Sequence, residues 1–272
     1  MSDRRAWPVP VTVNFDGPPD APVLILGNSL GTSAAVWEPQ VPDLKRSFRL
    51  LRFELPGHGG AQAWPGPYPI GLLGAGVLAL LDDLGVAEAG YAGISLGGMI
   101  GLWLAAHAPD RIRALGLVCT SAYLPPAEGW RERAARVRAA GMSSVSAQVI
   151  SRWFTADYAA REPEVVSSAR TTLEKADPEG YAGCCEAIAE LDLRAGLPAV
   201  SAPTLVIAGD ADQATPPEHG AAIAAGVRDG RLLVLPGAAH LATLCSPADV
   251  SVALLRHFEH VAAKDQNWRV QR

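Results

Sequence analysis

The amino-acid sequence predicts an α/β fold, with a mostly parallel central sheet, helices on both faces and a helical insertion. Two observations lead to this prediction. Short apolar runs alternate with helical stretches up to about residue 120, a rhythm typical of parallel sheets. From about residue 123 to residue 196 only helical segments follow, and strand-like runs then resume. A helical insertion between the strands of a parallel sheet is the architecture of an enzyme with a lid.

Each element is predicted from its local pattern. Val23 to Leu26 is a continuous apolar run, as expected of a strand that is buried on both faces. Leu72 to Leu84 has helical periodicity and stops at Gly85, which is expected to cap the helix. The other predicted strands are Val9–Phe15 at an edge, Phe48–Phe53, Tyr91–Ile94, Leu115–Thr120, Thr204–Ala208 and Arg231–Leu235. The other predicted helices are Leu96–His107, Trp130–Ala140, Ser144–Phe154, Glu162–Glu174, Pro178–Glu190 and Pro247–His260.

These elements divide the chain into an expected core of residues 1–122 and 197–263, a helical cap of residues 123–196, and a polar C-terminal tail of residues 264–272. The net charge of −5 argues against a nucleic-acid partner, which usually requires a basic face. The apolar runs are too short to span a membrane, and the first residues do not resemble a signal peptide. The four cysteines lack the spacing of a disulfide framework or a zinc site, so a reducing cytoplasm is expected.

The motif with the most chemical information is Gly93-Ile94-Ser95-Leu96-Gly97-Gly98. It matches G-x-S-x-G, and a predicted strand precedes it while a predicted helix follows it. In α/β hydrolases the serine of this motif is a nucleophile on a strained strand-to-helix turn, and the flanking glycines leave room for the turn. The N–H of Leu96 opens the helix beside the nucleophile and is therefore expected to stabilise an oxyanion. A second donor is expected from Gly27-Asn28-Ser29-Leu30-Gly31, most simply the N–H of Leu30.

A serine nucleophile requires a base, and the base requires an orienting carboxylate. We predict His240 as the base because it follows the last strand in a glycine-containing loop. For the acid, Asp210 and Asp212 both follow the preceding strand, and Asp212 is favoured because it lies at the tip of the loop. His58, in Pro56-Gly57-His58-Gly59, is expected to brace the loops of the site by hydrogen bonds.

Motifs throughout the chain resemble those of the 3-oxoadipate enol-lactone hydrolases, members of the α/β-hydrolase superfamily. The resemblance extends from about Val11 to Phe258 and includes the predicted cap. Its motifs are Asn28-Ser29-Leu30-Gly31-Thr32, Gly66-Pro67-Tyr68, Gly93–Met99, Trp103, His107–Ile112, Ala176–Cys185 and Thr215-Pro216-Pro217. The sequence departs from the family pattern at Pro56, Gly60 and Leu241–Cys245, none of which belongs to the expected triad.

The resemblance implies a serine hydrolase that opens an unsaturated lactone with an acetate arm to 3-oxoadipate, in bacterial catabolism of aromatic compounds. The implied mechanism is two-step acyl transfer through Ser95, without a metal or an organic cofactor. The same triad would also serve a carboxylesterase, another lactonase, a carbon–carbon bond hydrolase or a cofactor-free haloperoxidase. A non-catalytic receptor that binds a small lactone is a further alternative. The oligomeric state is left open.

A substrate that carries a carboxylate requires a cation near the nucleophile. The richest basic segment is Trp130–Arg138, inside the predicted cap. On a helix, Trp130, Arg133, Ala134 and Val137 share the apolar face, so we expect Arg133 to point towards the core and bind the carboxylate. Trp130 and Trp153 are expected to line the substrate pocket. The alternative is a purely structural Arg133, and Arg131 and Arg138 are expected to be solvated.

Overall fold

A computed structural model describes residues 14–265 and residue 268. Within this part of the chain, seven strands form one sheet in the order β1-β3-β2-β4-β5-β6-β7, and only β1 runs antiparallel to its neighbour. The strands are β1 (Asn14–Asp16), β2 (Val23–Gly27), β3 (Arg49–Arg52), β4 (Ala89–Ile94), β5 (Ile112–Val118), β6 (Thr204–Gly209) and β7 (Gly230–Leu235). The predicted α/β fold with a mostly parallel sheet is therefore confirmed.

Helices cover both faces of the sheet and fill the segment between β5 and β6. The α-helices are α1 (Val41–Leu44), α2 (Ile70–Asp83), α3 (Leu96–His107), α4 (Ala127–Ala140), α5 (Ser143–Trp153), α6 (Ala156–Arg161), α7 (Pro163–Glu174), α8 (Pro178–Ala189), α9 (Pro217–Gly226), α10 (Ala242–Cys245) and α11 (Pro247–Lys264). Two short 3-10 helices are Ala34–Trp37 and Arg194–Ala199. No helix in the described part of the chain is both long and apolar enough to cross a membrane.

The central strands consist mainly of apolar residues because helices cover them on both sides. All six residues of β4 are buried, whereas most of β7, at the sheet edge, is exposed. Because β2 and β4 to β7 are parallel, the loops after them meet at one edge of the sheet. Those loops carry Leu30, Ser95, Asp212 and His240, so the topology alone brings the predicted site residues into one region.

The helical insertion, α4 to α8, lies against the loops at this edge. Asp177 caps α8 by accepting hydrogen bonds from the N–H groups of Glu179 and Gly180, and its own N–H donates to Gly57 O at 2.8 Å. A side chain at Gly180 would come within 2.6 Å of Gly57 Cα, so glycine permits α8 to approach this loop closely. The N–H of Leu241 donates to Trp153 O at 3.3 Å and joins the insertion to the loop that carries His240.

Several elements differ from the sequence-based expectations. Most helices and strands begin or end one to three residues away from the predicted limits, and α1, α6, α9 and α10 were not predicted. These four helices have between 4 and 10 residues each, too few for an apolar periodicity to identify a helix. The predicted strand Val9–Phe15 lies mostly outside the described residues, and only its end is seen in β1.

The C-terminal segment contains a buried aromatic residue. Lys264 is the last residue of α11, whereas a polar tail was expected to begin there, and Gln266 and Asn267 lie outside the described residues. Trp268 is 3% exposed and stacks on Phe48 with ring centroids 5.8 Å apart. Its ring also packs against Gly90, where an added Cβ atom would lie 2.6 Å from Trp268 Cζ2. Trp268 therefore packs on the core next to β4, within the segment expected to be a polar tail.

Candidate active site

Ser95 occupies a strained turn between β4 and α3. Its backbone has φ 53° and ψ −117°, a left-handed φ that side chains rarely adopt. Added Cβ atoms at Gly93 and Gly97 would overlap backbone atoms of Gly97 and Gly27, so the two glycines of the motif allow the turn to close. The N–H of Ser95 donates to Val118 O at 2.9 Å, and its carbonyl accepts from Thr120 Oγ1 at 2.6 Å. These contacts from β5 and the loop after it hold the serine in place.

His240 connects Ser95 to Asp212. Its Nε2 lies 3.0 Å from Ser95 Oγ, and its Nδ1 lies 2.9 Å from Asp212 Oδ2. A carboxylate can only accept, so Nδ1 carries the proton and Nε2 is left to accept from the serine hydroxyl. All three side chains are buried, with exposed fractions of 6% or less. The structure thus brings together the three residues that the sequence predicted as nucleophile, base and acid.

Asp212 is held in its charged form by the loop that it begins. Burial by itself would raise the pKa of Asp212, but the His240 imidazole and the hydrogen bonds from Thr215 hold that pKa well below its ordinary value. Its Oδ1 accepts from the N–H groups of Ala214 at 2.7 Å and Thr215 at 3.0 Å, and Thr215 Oγ1 donates to Oδ2 at 2.8 Å. Asp210 instead accepts from the N–H of Gly237 at 2.6 Å and so fixes the loop before His240.

Two backbone N–H groups beside Ser95 are available to bind an oxyanion. Among the residues that the structure describes, the N–H groups of Leu30 and Leu96 donate no hydrogen bond. The loop that carries Leu30 is tied to the serine turn, because Gly97 N–H donates to Asn28 O at 2.9 Å. A carbonyl group attacked by Ser95 Oγ would therefore meet one free donor from the loop after β2 and a second from the first residue of α3.

His58 fixes the same loop from the other side. Its Nε2 accepts from the N–H of Gly31 at 2.9 Å, and its Nδ1 donates to Pro56 O at 2.8 Å. Burial lowers the pKa of His58 to about 4, although the carbonyl of Pro56 and the charge of Asp177 act in the opposite direction. His58 is therefore neutral near pH 7, as an acceptor at Nε2 must be. The bracing role expected from the sequence corresponds to these two hydrogen bonds.

Behind this loop lies a buried carboxyl group, Glu54. Its Oε1 accepts from the N–H of Ala34 at 3.0 Å, and its Oε2 accepts from Asn28 Nδ2 at 3.3 Å. Burial raises the pKa of Glu54 to about 7, against these hydrogen bonds and the charge of Arg52. Glu54 and His58 together anchor both ends of the segment that contains Leu30.

A cavity opens above Ser95, between the sheet edge and the helical insertion. Its lining is mainly apolar and includes two half-buried arginines, Arg133 from α4 and Arg152 from α5. The guanidinium carbon of Arg133 lies 4.6 Å from the centre of the Trp130 ring. The residues that line the cavity are Ser29, Leu30, Ser95, Leu124, Trp130, Arg133, Val149, Arg152, Trp153, Tyr181, Ile188, Ala214, Thr215 and His240.

Comparisons with known proteins agree with this geometry. The family described as alpha/beta hydrolase fold matches residues 22–246. The chain belongs to the α/β-hydrolase family. A 3-oxoadipate enol-lactonase of Acinetobacter baylyi is 37% identical over 231 residues, which are 85% of this chain and 86% of that protein. The hydrolase is thus related to the enol-lactonases, as its motifs indicated, and it is an enzyme of the carboxylic ester hydrolase class.

Solved structures give the same relationship. The enol-lactonase of Burkholderia xenovorans LB400 superposes with a TM-score of 0.89 at 38% identity, covering 91% of this chain and 96% of that one. A hydrolase of Pseudomonas aeruginosa PA01 superposes with a TM-score of 0.88 at 43% identity, covering 90% of this chain and 93% of that one. In both cases the similarity includes the helical insertion as well as the sheet.

The structure of the hydrolase places Trp130, Arg133 and Trp153 at the cavity, together with two residues that sequence reasoning missed. Arg152 and Tyr181 also line it. A signal for Arg152 was present, because it follows the buried Val149 by three residues on the same helix. Tyr181 lay within a motif of the family resemblance but had no assigned role. Arg138 is exposed, as expected, and it also forms ion pairs with Glu179 and Glu186 of α8.

The other histidines of the hydrolase lie outside the cavity. His107 stacks on Trp103, His219 contacts Ser121 Oγ at 2.7 Å, and His257 contacts Pro203 O at 3.2 Å. In the described part of the chain, no group of three or more histidine, cysteine, aspartate or glutamate side chains is arranged to hold a metal ion.

Proposed function

We propose that this hydrolase opens 3-oxoadipate enol-lactone to 3-oxoadipate by acyl transfer through Ser95. The observation that carries the proposal is the composition of the cavity, where Ser95 and His240 share an apolar chamber with half-buried arginines. An apolar wall suits a small unsaturated ring, and a guanidinium suits its carboxylate arm. Enol-lactonase is also the activity that names the relatives from Acinetobacter and Burkholderia.

In the first half-reaction, His240 Nε2 takes the proton of Ser95 Oγ while Oγ forms a bond to the lactone carbonyl carbon. The N–H groups of Leu30 and Leu96 donate to the resulting oxyanion, and each such donor is worth about 2.7–4 kcal/mol in the transition state. Collapse of the tetrahedral adduct breaks the ring C–O bond. The leaving enolate receives the proton from the His240 imidazolium and ketonises, which makes ring opening difficult to reverse.

In the second half-reaction, His240 takes a proton from water while the water oxygen attacks the acyl carbon. The same two N–H groups bind the second oxyanion, and its collapse returns the proton to Ser95 Oγ. Asp212 keeps Nδ1 protonated and stabilises the imidazolium in both halves. Each proton thus moves between Ser95, His240 and the substrate or water, so the triad and the two N–H donors complete the cycle.

We assign the substrate carboxylate to Arg133. Among the described residues Arg133 forms no ion pair with a carboxylate, and its guanidinium stacks on Trp130 and interacts with the side chain of Tyr181. Trp130 and Trp153 then form walls of the binding pocket. We also propose that the enzyme acts in the cytoplasm, in the catabolism of protocatechuate or catechol.

Steady-state kinetics separates this function from a general esterase that uses the same triad. We expect kcat/KM for the enol-lactone to exceed that for p-nitrophenyl acetate by at least a hundredfold, because the neutral acetate has no group for Arg133. A higher kcat/KM for p-nitrophenyl acetate would indicate a carboxylesterase. Binding of the lactone without turnover would instead indicate a receptor.

A further inference from the structure

The mouth of the cavity is more basic than the acidic chain as a whole would suggest. A second hollow, which we term the vestibule, adjoins the cavity and shares Arg133 and Arg152 with it. The vestibule adds Arg136, Glu132, Gln148 and Gln213 to these two residues. Its charged lining is therefore three arginines and one glutamate, in a protein whose net charge is −5.

The three arginines are not neutralised by acidic neighbours. Within the described residues, Arg133, Arg136 and Arg152 have no carboxylate oxygen within ion-pair distance, whereas Arg131 and Arg138 of the same helix pair with glutamates. Arg133 and Arg136 are three residues apart on α4 and thus share a face, while Arg152 comes from α5. Two helices therefore direct unpaired positive charge at one opening.

Arg152, like Arg133, differs from Arg136 in its position and burial. It lines both the inner cavity with Ser95 and the outer vestibule, and it is half-buried, whereas Arg136 is exposed and lines only the vestibule. A cation shared by two connected compartments can bind an anion in either of them. The apolar surroundings on the inner side, such as Val149 and Ile188, strengthen that attraction because they exclude water.

We infer that the vestibule is an anion-binding site through which carboxylate-bearing substrates enter, and that Arg152 is a second specificity-determining residue beside Arg133. This inference rests on the proposed function in one respect. Opening a lactone that already carries a carboxylate creates a second carboxylate, so the cavity receives a monoanion and releases a dianion. Two half-buried guanidinium groups match that product, and the exposed Arg136 provides the next positive charge on its way out.

The test compares the hydrolysis of two esters, one with and one without a carboxylate. This comparison measures anion binding at the vestibule whether or not the enol-lactone is the substrate. The mono-p-nitrophenyl ester of glutarate carries a carboxylate where p-nitrophenyl valerate carries a methyl group. The variants are Arg152→Gln, Arg136→Gln and, as the matched control, Arg131→Gln. Each removes one positive charge, so all three change the net charge equally, but Arg131 lines neither the cavity nor the vestibule.

For the wild-type enzyme, we divide kcat/KM for the glutarate ester by kcat/KM for the valerate ester. We expect this ratio to exceed one and to fall with added salt. Arg152→Gln should lower this ratio by about tenfold and Arg136→Gln by about threefold, by analogy with the gain that focused fields give to association rates. Arg131→Gln should leave the ratio within a factor of about 1.5. Equal effects of the three substitutions, or a wild-type ratio that does not depend on salt, would overturn the inference.

A binding measurement that needs no turnover complements the kinetics. Calorimetry on the Ser95→Ala protein should show adipate, a saturated six-carbon dicarboxylate, binding at low ionic strength. The Kd should rise about tenfold when Arg152→Gln is added and should not change with Arg131→Gln. No detectable binding of adipate at a concentration of about 10 mM, roughly tenfold above the upper end of ordinary KM values, would contradict the inference. Salt-dependent ester selectivity in an enzyme that leaves the enol-lactone intact would refute only the proposed function.

Discussion

His58 Nε2 accepts a hydrogen bond from the backbone N–H of Gly31 at 2.9 Å, directly beside Leu30. This contact connects the loop after β3 to the loop whose free N–H faces the cavity at Ser95. A neutral imidazole, locked by its second bond to Pro56 O, therefore determines where the Leu30 N–H lies.

The first prediction concerns this contact. His58→Phe keeps an aromatic ring at this position but removes the nitrogen that accepts from the Gly31 N–H. We therefore expect kcat to fall about tenfold, which is less than the fall caused by removing an oxyanion donor itself. KM should change little because His58 does not line the cavity. His58→Gln retains an acceptor and should recover part of the loss. Steady-state kinetics on both variants checks this, and equal kcat in the two variants would show that the hydrogen bond is not the cause.

The second prediction concerns stability against pH. Burial lowers the pKa of His58 and of His257 to about 4 from an ordinary value of 6.5, so the unfolded chain binds more protons between these values. The free energy of unfolding should therefore fall as the pH decreases from 6.5 to 4. Glu54 acts in the opposite sense, since burial raises its pKa to about 7 and its contribution is lost as the pH rises through that value.

His257 is the position to test because it lies far from the cavity lining. His257→Gln retains a donor for Pro203 O but cannot titrate. Urea unfolding of this variant should show a smaller loss of stability between pH 7 and pH 4.5 than the wild type. An unchanged loss would mean that His257 does not titrate on unfolding.

The third prediction distinguishes the two aspartates of the acid loop. Asp212→Asn should lower kcat by roughly 10⁴, because an amide opposite Nδ1 favours the wrong imidazole tautomer. Asp210→Asn keeps an oxygen that can accept from Gly237 N–H, so we expect less than a tenfold change. The kcat values of the two variants on one substrate decide this. The reverse order would identify Asp210 as the residue that orients His240.

The fourth prediction concerns Arg133. Arg133→Met should raise KM at least tenfold for the carboxylate-bearing lactone, since a charged hydrogen bond is worth about 1.5–3 kcal/mol. KM for a neutral ester should stay nearly constant. Arg131→Met serves as the control, because Arg131 lies on the same helix, does not line the cavity, and forms an ion pair with Glu128 at 3.8 Å. Equal losses on both substrates would mean that Arg133 only stabilises the insertion.

Most of the catalytic geometry was predictable from the sequence, for a specific physical reason. Parallel strands bring the loops after them to one edge, so Ser95, Asp212 and His240 could be grouped without coordinates once each was assigned to a strand end. The choice between Asp210 and Asp212 needed only their distance from the end of β6. The same reasoning located the Leu30 loop.

The remaining features depend on packing between segments that are distant in sequence. The spacing of Arg152 from the buried Val149 places it near the inner face of α5, but its position at the cavity also depends on the packing of α5 beside α4, which no local pattern reports. Arg138 is exposed, as expected, but its two carboxylate partners on α8 were not predictable from the sequence. Glu54 becomes an anchor because Asn28 and Ala34 fold back onto it. The short helices α1, α6, α9 and α10 were also not predicted, because their apolar periodicity extends over too few residues.

The central claim is that Ser95 opens the enol-lactone, and the decrease of lactone ultraviolet absorbance measures it most directly. We expect the wild-type enzyme to consume the lactone rapidly. Ser95→Ala should have an unchanged melting temperature and a kcat lower by roughly 10⁴ or more, as in hydrolases whose triad acts as a unit. A folded Ser95→Ala protein that hydrolyses the lactone within tenfold of the wild-type rate would contradict the account.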